Sequence, residues 1–569
     1  MSFIEHKGLV ALFLLLLSFG AFTPSLKHEL VWDDLKLIKE RSSSLKASNI
    51  TYRMLLPRIH EKHKGVHYRP IMFISYVIDK EIWGVSPFGF HLSNVIFHSI
   101  STVLFYFLAL LVLGEFRVER KEATAFLSSL LFAFHPVHVE SVSFIGARAD
   151  LLSGIFFFLA FIFYILSHRK LWFLILAAIC FYLSLLSKEI AVAFPILAVG
   201  LDLINGRFRS RNNIISYIIF GVLILVYFYL RGRAYVVIPE VFNEKVLQSV
   251  QGGAQVWGVL KVLLSSYLFY IKKLVFPFSL NPFIATVPMG FYHLVSSILV
   301  ILLLCFIGFI SIKKREGITA FSILWIFATL APISLVAIFR VGTMSLAERF
   351  LYIPSAGFCM LTGYFVLKAG KRIKAQKIGW AFGFLLCMSY IFFTIEGQSI
   401  WKNDLSLWEY ASKKSPYDAI PHTNYGEALK HAGKTDQAIG EFLIALDPEV
   451  KGSKKEKATI ANRLGLVYLD KKDYKNAEEW FLKALYYDPK YRAAYYHLGL
   501  IYFIKGQHGN SVSDYRMAEN YLKKALEISP AFRKARLLLS MVYSLLGEEE
   551  KAIERTKKSK ESTGYLEDR

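Results

Sequence analysis

Gly8-Leu-Val-Ala-Leu-Phe-Leu-Leu-Leu-Leu-Ser-Phe-Gly-Ala-Phe-Thr-Pro24 carries no charge, and Val31-Trp32-Asp33-Asp34 follows a few residues later. An apolar run of this length approaches what a bilayer core asks of a helix. His6 and Lys7 stand directly before it and no small-residue cleavage site follows, so it is expected to be a retained signal anchor with the N-terminus inside. Two adjacent carboxylates then stand at its outer end. Ionised groups beside lipid are costly and tend to mark function, and paired acids can serve as a general base or hold a cation. The bland alternative is a solvated acidic loop.

The rest of the chain decides between them. Of 569 residues, 54% are hydrophobic and 15% aromatic, and similar apolar segments recur up to position 396, which makes a polytopic membrane protein. Spans are expected at 8–24, 91–113, 123–137, 149–167, 171–187, 190–205, 214–230, 291–312, 318–338, 351–368 and 378–395. A further candidate, 259–276, carries Lys261, Lys272 and Lys273. If it crossed, Lys313-Lys314-Arg315 and the basic run 368–377 would lie outside, against the positive-inside rule. With eleven spans these loops are cytoplasmic, together with Arg117/Arg120/Lys121, His168-Arg169-Lys170 and 207–211. The expected outer loops are then 25–90 and 231–290, the second holding an amphipathic or re-entrant segment.

Cys180, Cys305, Cys359 and Cys387 all lie inside apolar segments, so they read as small hydrophobes and give no redox signal. The net charge of +23 orients loops and is spread over a helical C-terminal region without a basic aromatic platform; nucleic-acid binding is not expected.

After a linker helix expected at 397–418, residues 419–569 repeat with a period near 34, the spacing of tetratricopeptide units. Tyr425-Gly426, Ala438, Phe442 and Ala445 mark one unit. Leu464-Gly465, Tyr468, Ala477, Phe481, Ala484 and Pro489 mark the next. A third has Leu498-Gly499 and Tyr502, an insertion around 506–515, then Ala518, Leu522, Ala525 and Pro530. A fourth, with Leu539, Tyr543 and Ala552, places Ser540 where Gly is usual. Such repeats form an α-solenoid whose concave face takes extended peptide. The fold class is therefore all-α, a multi-span domain over 1–396 followed by a solenoid, and the eleven-span topology puts the solenoid outside.

The same topology gathers polar residues on the outer side: Asp33, Asp34, His67, Arg69, His135, His138, Glu140, Arg148, Asp150, Lys188, Glu189, Arg231, Arg233, Glu348 and Arg349. Arginine forks and lysines suit phosphate, and a carboxylate suits proton transfer, so the face fits an anionic lipid-linked substrate. Taken singly, Lys188 and Glu189 read as a helix-turn ion pair, Arg349 as a snorkelling side chain, and His135 and His138 as packed histidines.

The stretches His67-Tyr-Arg-Pro70, Pro87-Phe-Gly-Phe-His-Leu-Ser-Asn94, Phe134-His-Pro-Val-His-Val-Glu140, Gly146-Ala-Arg-Ala-Asp150, Leu186-Ser-Lys-Glu189 and Ala347-Glu-Arg-Phe-Leu-Tyr-Ile-Pro-Ser-Ala-Gly357, followed by repeats, closely resemble the transmembrane and tetratricopeptide repeat-containing protein O-mannosyltransferases. The resemblance covers nearly the whole chain. It implies a GT-C glycosyltransferase, which passes a sugar from a polyprenyl-phosphate carrier to a hydroxyl on the outer side. It also implies that an acid of the first outer loop is the catalytic base, which carries over to Asp33 with Asp34 beside it. The few repeats, and the absence of an evident retention signal at Glu567-Asp-Arg569, make a prokaryotic relative in a cytoplasmic (inner) membrane, repeats on the periplasmic side, the expectation.

The chemistry agrees. A lipid phosphate leaves readily and needs cations more than an acid, whereas an acceptor hydroxyl needs a base, and direct displacement inverts the anomeric centre. Asp33 and Asp34 are the catalytic candidates, and Arg69, Arg148, Lys188 and Arg349 the donor-phosphate candidates. His67, His135, His138, Glu140, Asp150, Glu189 and Glu348 are the substrate-binding candidates. Alternatively, His67, His135, His138 and Glu140 hold a divalent metal; no metal is assigned. The expected partners are a polyprenyl-phosphate-linked, mannose-like sugar, membrane lipid and an acceptor polypeptide, in Ser/Thr form, recruited by the repeats. A non-enzymatic scaffold for envelope assembly and a lipid-sugar transporter are the alternatives.

Overall fold

The structure, a computed structural model, describes residues 6–40, 42, 45, 68–234, 253–339, 346–372 and 375–554. These divide into two compact units that meet between 407 and 408. In the first, helices α1 (Lys7–Phe22), α2 (Pro70–Trp83), α3 (Pro87–Glu115), α4 (Lys121–Phe134), α5 (Val139–Ser143), α6 (Arg148–Ser167) and α7 (Phe173–Ser187) come in chain order. They are followed by α8 (Phe194–Ile204), α9 (Arg211–Ala234), α10 (Gly253–Val275), α11 (Phe291–Lys313), α12 (Gly317–Phe339), α13 (Pro354–Arg372) and α14 (Gln376–Ile400).

Among the described residues seven segments are long and apolar enough to cross a membrane, and the bent pair at Lys121–Phe134 and Pro136–Ser143 (49°) makes an eighth if counted as one span. This is an integral membrane protein. The segments expected at 171–187, 190–205 and 351–368 are helical as α7, α8 and α13 but fall outside that count. Helix α10, read from sequence as non-crossing, also falls outside it and lies against α11 and α12.

Local sequence explains where helices begin. Pro70, Pro87 and Pro354 open α2, α3 and α13, and Pro136 opens the turn before α5. Proline is tolerated in the first turn, where its missing N–H has no intrahelical partner. Between helices, small residues permit close approach, as in membrane bundles generally: a Cβ on Gly363 of α13 would lie 3.1 Å from the backbone nitrogen of Ser128 in α4. Some polar groups inside the bundle bond across helices. His98 bonds the Tyr352 hydroxyl at 2.9 Å and the Ala133 carbonyl at 3.1 Å.

The two ends of the bundle differ. At one end the basic loops meet a few acids, with Arg207 on Glu115 at 2.7 Å, His168 by Asp202 at 3.4 Å and Lys368 on Glu316 at 2.6 Å. The opposite end, where α1, α4, α7 and α9 finish and α2, α3, α6 and α13 start, carries the described residues among those singled out above.

The second unit is built of helix pairs: α16 (Ala419–His431) with α17 (Thr435–Leu446), α18 (Lys454–Asp470) with α19 (Tyr474–Tyr487), and α20 (Arg492–Gly509) with α21 (Val512–Ile528), then α22 (Arg533–Leu545). The repeat glycines sit where helices cross. A Cβ on Gly465 would meet the Phe481 ring at 2.6 Å, and one on Gly426 the Phe442 ring at 2.8 Å. Ser540 takes the same place in the last unit and turns its hydroxyl onto the Leu537 carbonyl at 2.8 Å. The insertion expected around 506–515 lengthens α20 and α21 around a turn at Asn510, whose φ is +45°. The expected linker 397–418 is not one helix: α14 runs on to Ile400, and α15 (Asp404–Lys414) crosses the border of the units.

Candidate active site

The loop after α1 belongs to the acidic end and meets the Phe144–Gly146 turn there. Trp32 has φ +54°, a left-handed conformation that is an outlier for a bulky residue and persists only when its surroundings over-determine it. The surroundings here do so. The Trp32 N–H donates to Asp404 Oδ1 at 2.8 Å, and its ring stacks on Phe144 at 5.5 Å. Phe144 in turn stacks on Trp401 at 5.3 Å.

The two neighbouring acids part company. Asp33 is exposed. Asp34 is fully buried, and its Oδ1 accepts the Gly146 N–H at 2.7 Å. Burial pushes the Asp34 carboxyl up to about 8, against the pull of the Gly146, Val31 and Ile145 N–H groups. Asp34, held by the Gly146 and Val31 N–H groups, anchors the loop, while Asp33 is exposed.

Ion pairs share this end. Arg69 donates to Glu189 at 3.2 and 3.4 Å, with Arg231 3.9 Å from the same carboxylate. Burial works against the Arg69 charge, but Glu189 more than offsets it and holds its pKa above the ordinary value. Lys188 is buried, pairs with Asp150 and lies 4.5 Å from the centre of the Phe350 ring. Burial lowers its pKa to about 8, Asp150 opposes, and repulsion from Arg69 and Arg349 adds to the lowering. Arg349 pairs with Glu140, which also accepts the Arg349 backbone N–H at 2.8 Å. Glu348 is buried, accepts the Asn281 N–H at 3.1 Å and pairs with Lys273 at 2.8 Å; burial raises its pKa to about 7, against Lys273. A narrow cleft opens beside Glu140 and Glu348, walled by Trp401, Leu280, Pro282 and Ile400.

Two groups of candidates sit differently from the face inferred for them. Arg148 is fully enclosed, with Asp79 at 2.6 Å, Asn94 at 2.7 Å, the Phe90 carbonyl at 2.7 Å and Ser75 at 3.3 Å. With its guanidinium so engaged, it is a bracing residue and presents no face to a phosphate. His135 bonds the Leu274 carbonyl at 3.2 Å and His138 bonds Ser355 at 2.8 Å, so both histidines tie helices together. Among the described residues no group of three or more His, Cys, Asp or Glu is placed to hold a metal ion. His67 lies outside the described residues.

Sequence reading does not count Tyr76, Asp79, Phe144, Lys273, Trp401 or Asp404 among the site residues, and takes Lys273 only as a mark against a further span. Asp79 carried a signal, since an acid in an apolar helix asks for a cation. Trp401 and Asp404 are far from the loop in sequence, and only the fold brings them to it.

A tetratricopeptide repeat family model matches residues 458–491 and 493–516. Protein O-mannosyl-transferase F38B6.6 of Caenorhabditis elegans is 27% identical over 395 residues, covering 68% of this chain and 54% of that protein. Protein O-mannosyl-transferase TMTC4 of Mus musculus is 27% identical over 443 residues, covering 66% and 57%. The chain thus spans about half the length of the curated relatives it matches. Among solved structures, the crystal structure of MamA covers 31% of this chain and 94% of its own at 20% identity and a TM-score of 0.25, too slight a likeness to bear on the fold. The tetratricopeptide match agrees with the repeats, and the curated homologues of this chain are protein O-mannosyl-transferases.

Proposed function

We propose that this protein is a membrane glycosyltransferase that moves a mannose-like sugar from a polyprenyl-phosphate carrier to a Ser or Thr hydroxyl of a protein acceptor. The observation that carries the reading is the cluster of Arg69, Lys188 and Arg349, close enough to repel one another, in a chain whose homologues bear the transferase name and whose exposed Asp33 follows the left-handed Trp32. Asp33 takes the acceptor proton, and its exposure gives the hydroxyl access. Asp34 holds the loop. Arg69, Lys188 and Arg349 stabilise the departing phosphate, exchanging part of their pairing with Glu189, Asp150 and Glu140 for the donor. The hydroxyl attacks the anomeric carbon as the carbon–phosphate oxygen bond breaks, and the centre inverts. Glu140 and Glu348, which border a narrow cleft, are the proposed substrate-binding acids.

The acidic end faces out in this reading, in a prokaryotic cytoplasmic membrane, and the repeats recruit the acceptor there. Eleven spans remain the proposed topology, because that count keeps the basic loops together on the inner side. Purified protein incubated with polyprenyl-phosphate-linked mannose and a Ser/Thr peptide tests the function. Transfer with inversion supports it; retention of both substrates without bond cleavage would point to a scaffold.

A further inference from the structure

We infer that Tyr76, Phe144 and Asp404 are positioning residues that hold the Val31–Asp34 loop from two sides and thereby set where Asp33 stands. The inference rests on the transferase reading of that loop. On one side, the turn Phe144-Ile145-Gly146 supplies the N–H that binds Asp34 at 2.7 Å. That turn is itself fixed from beneath: the Tyr76 hydroxyl donates to the Ile145 carbonyl at 2.8 Å, and Asn94 donates to the Val142 carbonyl at 3.1 Å. On the other side, Asp404 accepts the Trp32 N–H at 2.8 Å, and the Lys402 carbonyl accepts the Glu29 N–H at 2.9 Å.

The ring stack joins the two sides, because Phe144 belongs to the first and lies between Trp32 and Trp401 of the second. Trp32 cannot relax from its positive φ without leaving both its Asp404 bond and the stack. Asp33, between Trp32 and the buried Asp34, therefore has its backbone set on both flanks. Its carboxylate needs no partner of its own to be aimed. Lys188 and Arg349 stand on other segments, so loosening the loop moves the base and leaves these two cations in place. A small misplacement of a reacting group can lower a rate by orders of magnitude.

The test is Tyr76→Phe and Asp404→Ala, each alone and each combined with Asp33→Asn. Tyr76→Phe removes one hydroxyl and leaves the ring in place. Each single change should lower kcat about tenfold or more with the donor KM unchanged. Added to Asp33→Asn, neither should lower kcat further, since the group they position is already gone. Independent, multiplying losses would show a general structural role and overturn the inference, as would normal kcat in both single variants.

Hydrogen exchange of the peptide spanning 31–34 gives a readout that needs no turnover. The Trp32 and Asp34 amides, bonded to Asp404 and to the Val31 carbonyl, should exchange at least about tenfold faster in Asp404→Ala and in Tyr76→Phe. Unchanged exchange in both variants would overturn the positioning role. A wild-type protein that transfers no sugar would sink the transferase reading, while the exchange result still decides whether the loop is held this way.

Discussion

Replacing Arg148 by Ala should leave a charge stranded inside the membrane unit. Arg148 is fully buried and gives up four polar contacts at once: Asp79 at 2.6 Å, Asn94 and the Phe90 carbonyl at 2.7 Å, and Ser75 at 3.3 Å. Removing one partner of a buried ion pair costs about 3–5 kcal/mol, most of it the penalty of the orphaned charge. That corresponds to a population of opened molecules larger by about 10² or more, at roughly 1.4 kcal/mol per tenfold. Membrane proteins commonly unfold irreversibly, so the practical measure is a rate. Cys180, Cys359 and Cys387 are buried, and Cys305 faces outward in the middle of the apolar helix α11, so a thiol-reactive fluorophore reports opening as a slow phase from the three buried thiols. Arg148→Ala should shorten the slow phase at least tenfold, and adding Asp79→Asn should restore part of it by removing the orphaned charge. Equal labelling rates in the wild type and Arg148→Ala would refute the buried pair and return Arg148 to the list of phosphate ligands.

Other predictions concern the loop, the donor site and the repeats. Asp34 has its pKa raised to about 8 by burial, so the folded state holds a proton that the unfolded chain releases near its ordinary value of 3.8. Its contribution to stability is therefore present at low pH and is lost progressively as pH rises from about 4 to about 8. Asp34→Asn mimics the protonated form, and its tryptophan-fluorescence melting midpoint should gain on the wild type between pH 5 and pH 8; a constant difference would contradict a buried acid. Arg349→Lys keeps the charge but loses the fork, so the donor KM should rise severalfold, and further in Arg349→Ala; identical KM values in all three proteins would leave Arg349 a structural partner of Glu140. Gly465→Val forces a side chain into the Phe481 ring, which a Cβ alone would approach to 2.6 Å. Overpacking of this kind costs about 1–3 kcal/mol, and proteolysis of the repeat unit should accelerate accordingly.

The repeats were legible because their signal is local: the small residue at 465 and the aromatic at 481 lie in adjacent helices and meet directly. The membrane helices were legible for the same reason, through length and apolarity. What could not be read was the inward or outward turn of neighbouring polar residues. Asp33 and Asp34 are indistinguishable by composition, and what separates them is the Gly146 N–H, 112 positions away. Arg148 was grouped with the phosphate ligands because it starts a span at the acidic end, yet Asp79 and Asn94 draw it into the bundle. The histidines at 135 and 138 show the same limit, since their partners Leu274 and Ser355 come from distant helices. Spacing within a helix does not announce such partners. The short helices α7 and α8, by contrast, are visible as apolar segments, but the pairing at the turn between them is not, since Lys188 and Glu189 pair with Asp150 and Arg69 rather than with each other.

The most direct measurement is single-turnover transfer of mannose from polyprenyl phosphate to a Ser/Thr peptide by the wild type and by Asp33→Asn. The account predicts that Asp33→Asn binds the lipid donor as the wild type does and transfers about 10²-fold more slowly or worse, because the carboxylate that takes the hydroxyl proton is gone while the cations remain. Near-normal transfer by a folded Asp33→Asn protein would contradict it and move the base to another acid at this end, with Glu140 and Glu348, beside the cleft, the first to examine.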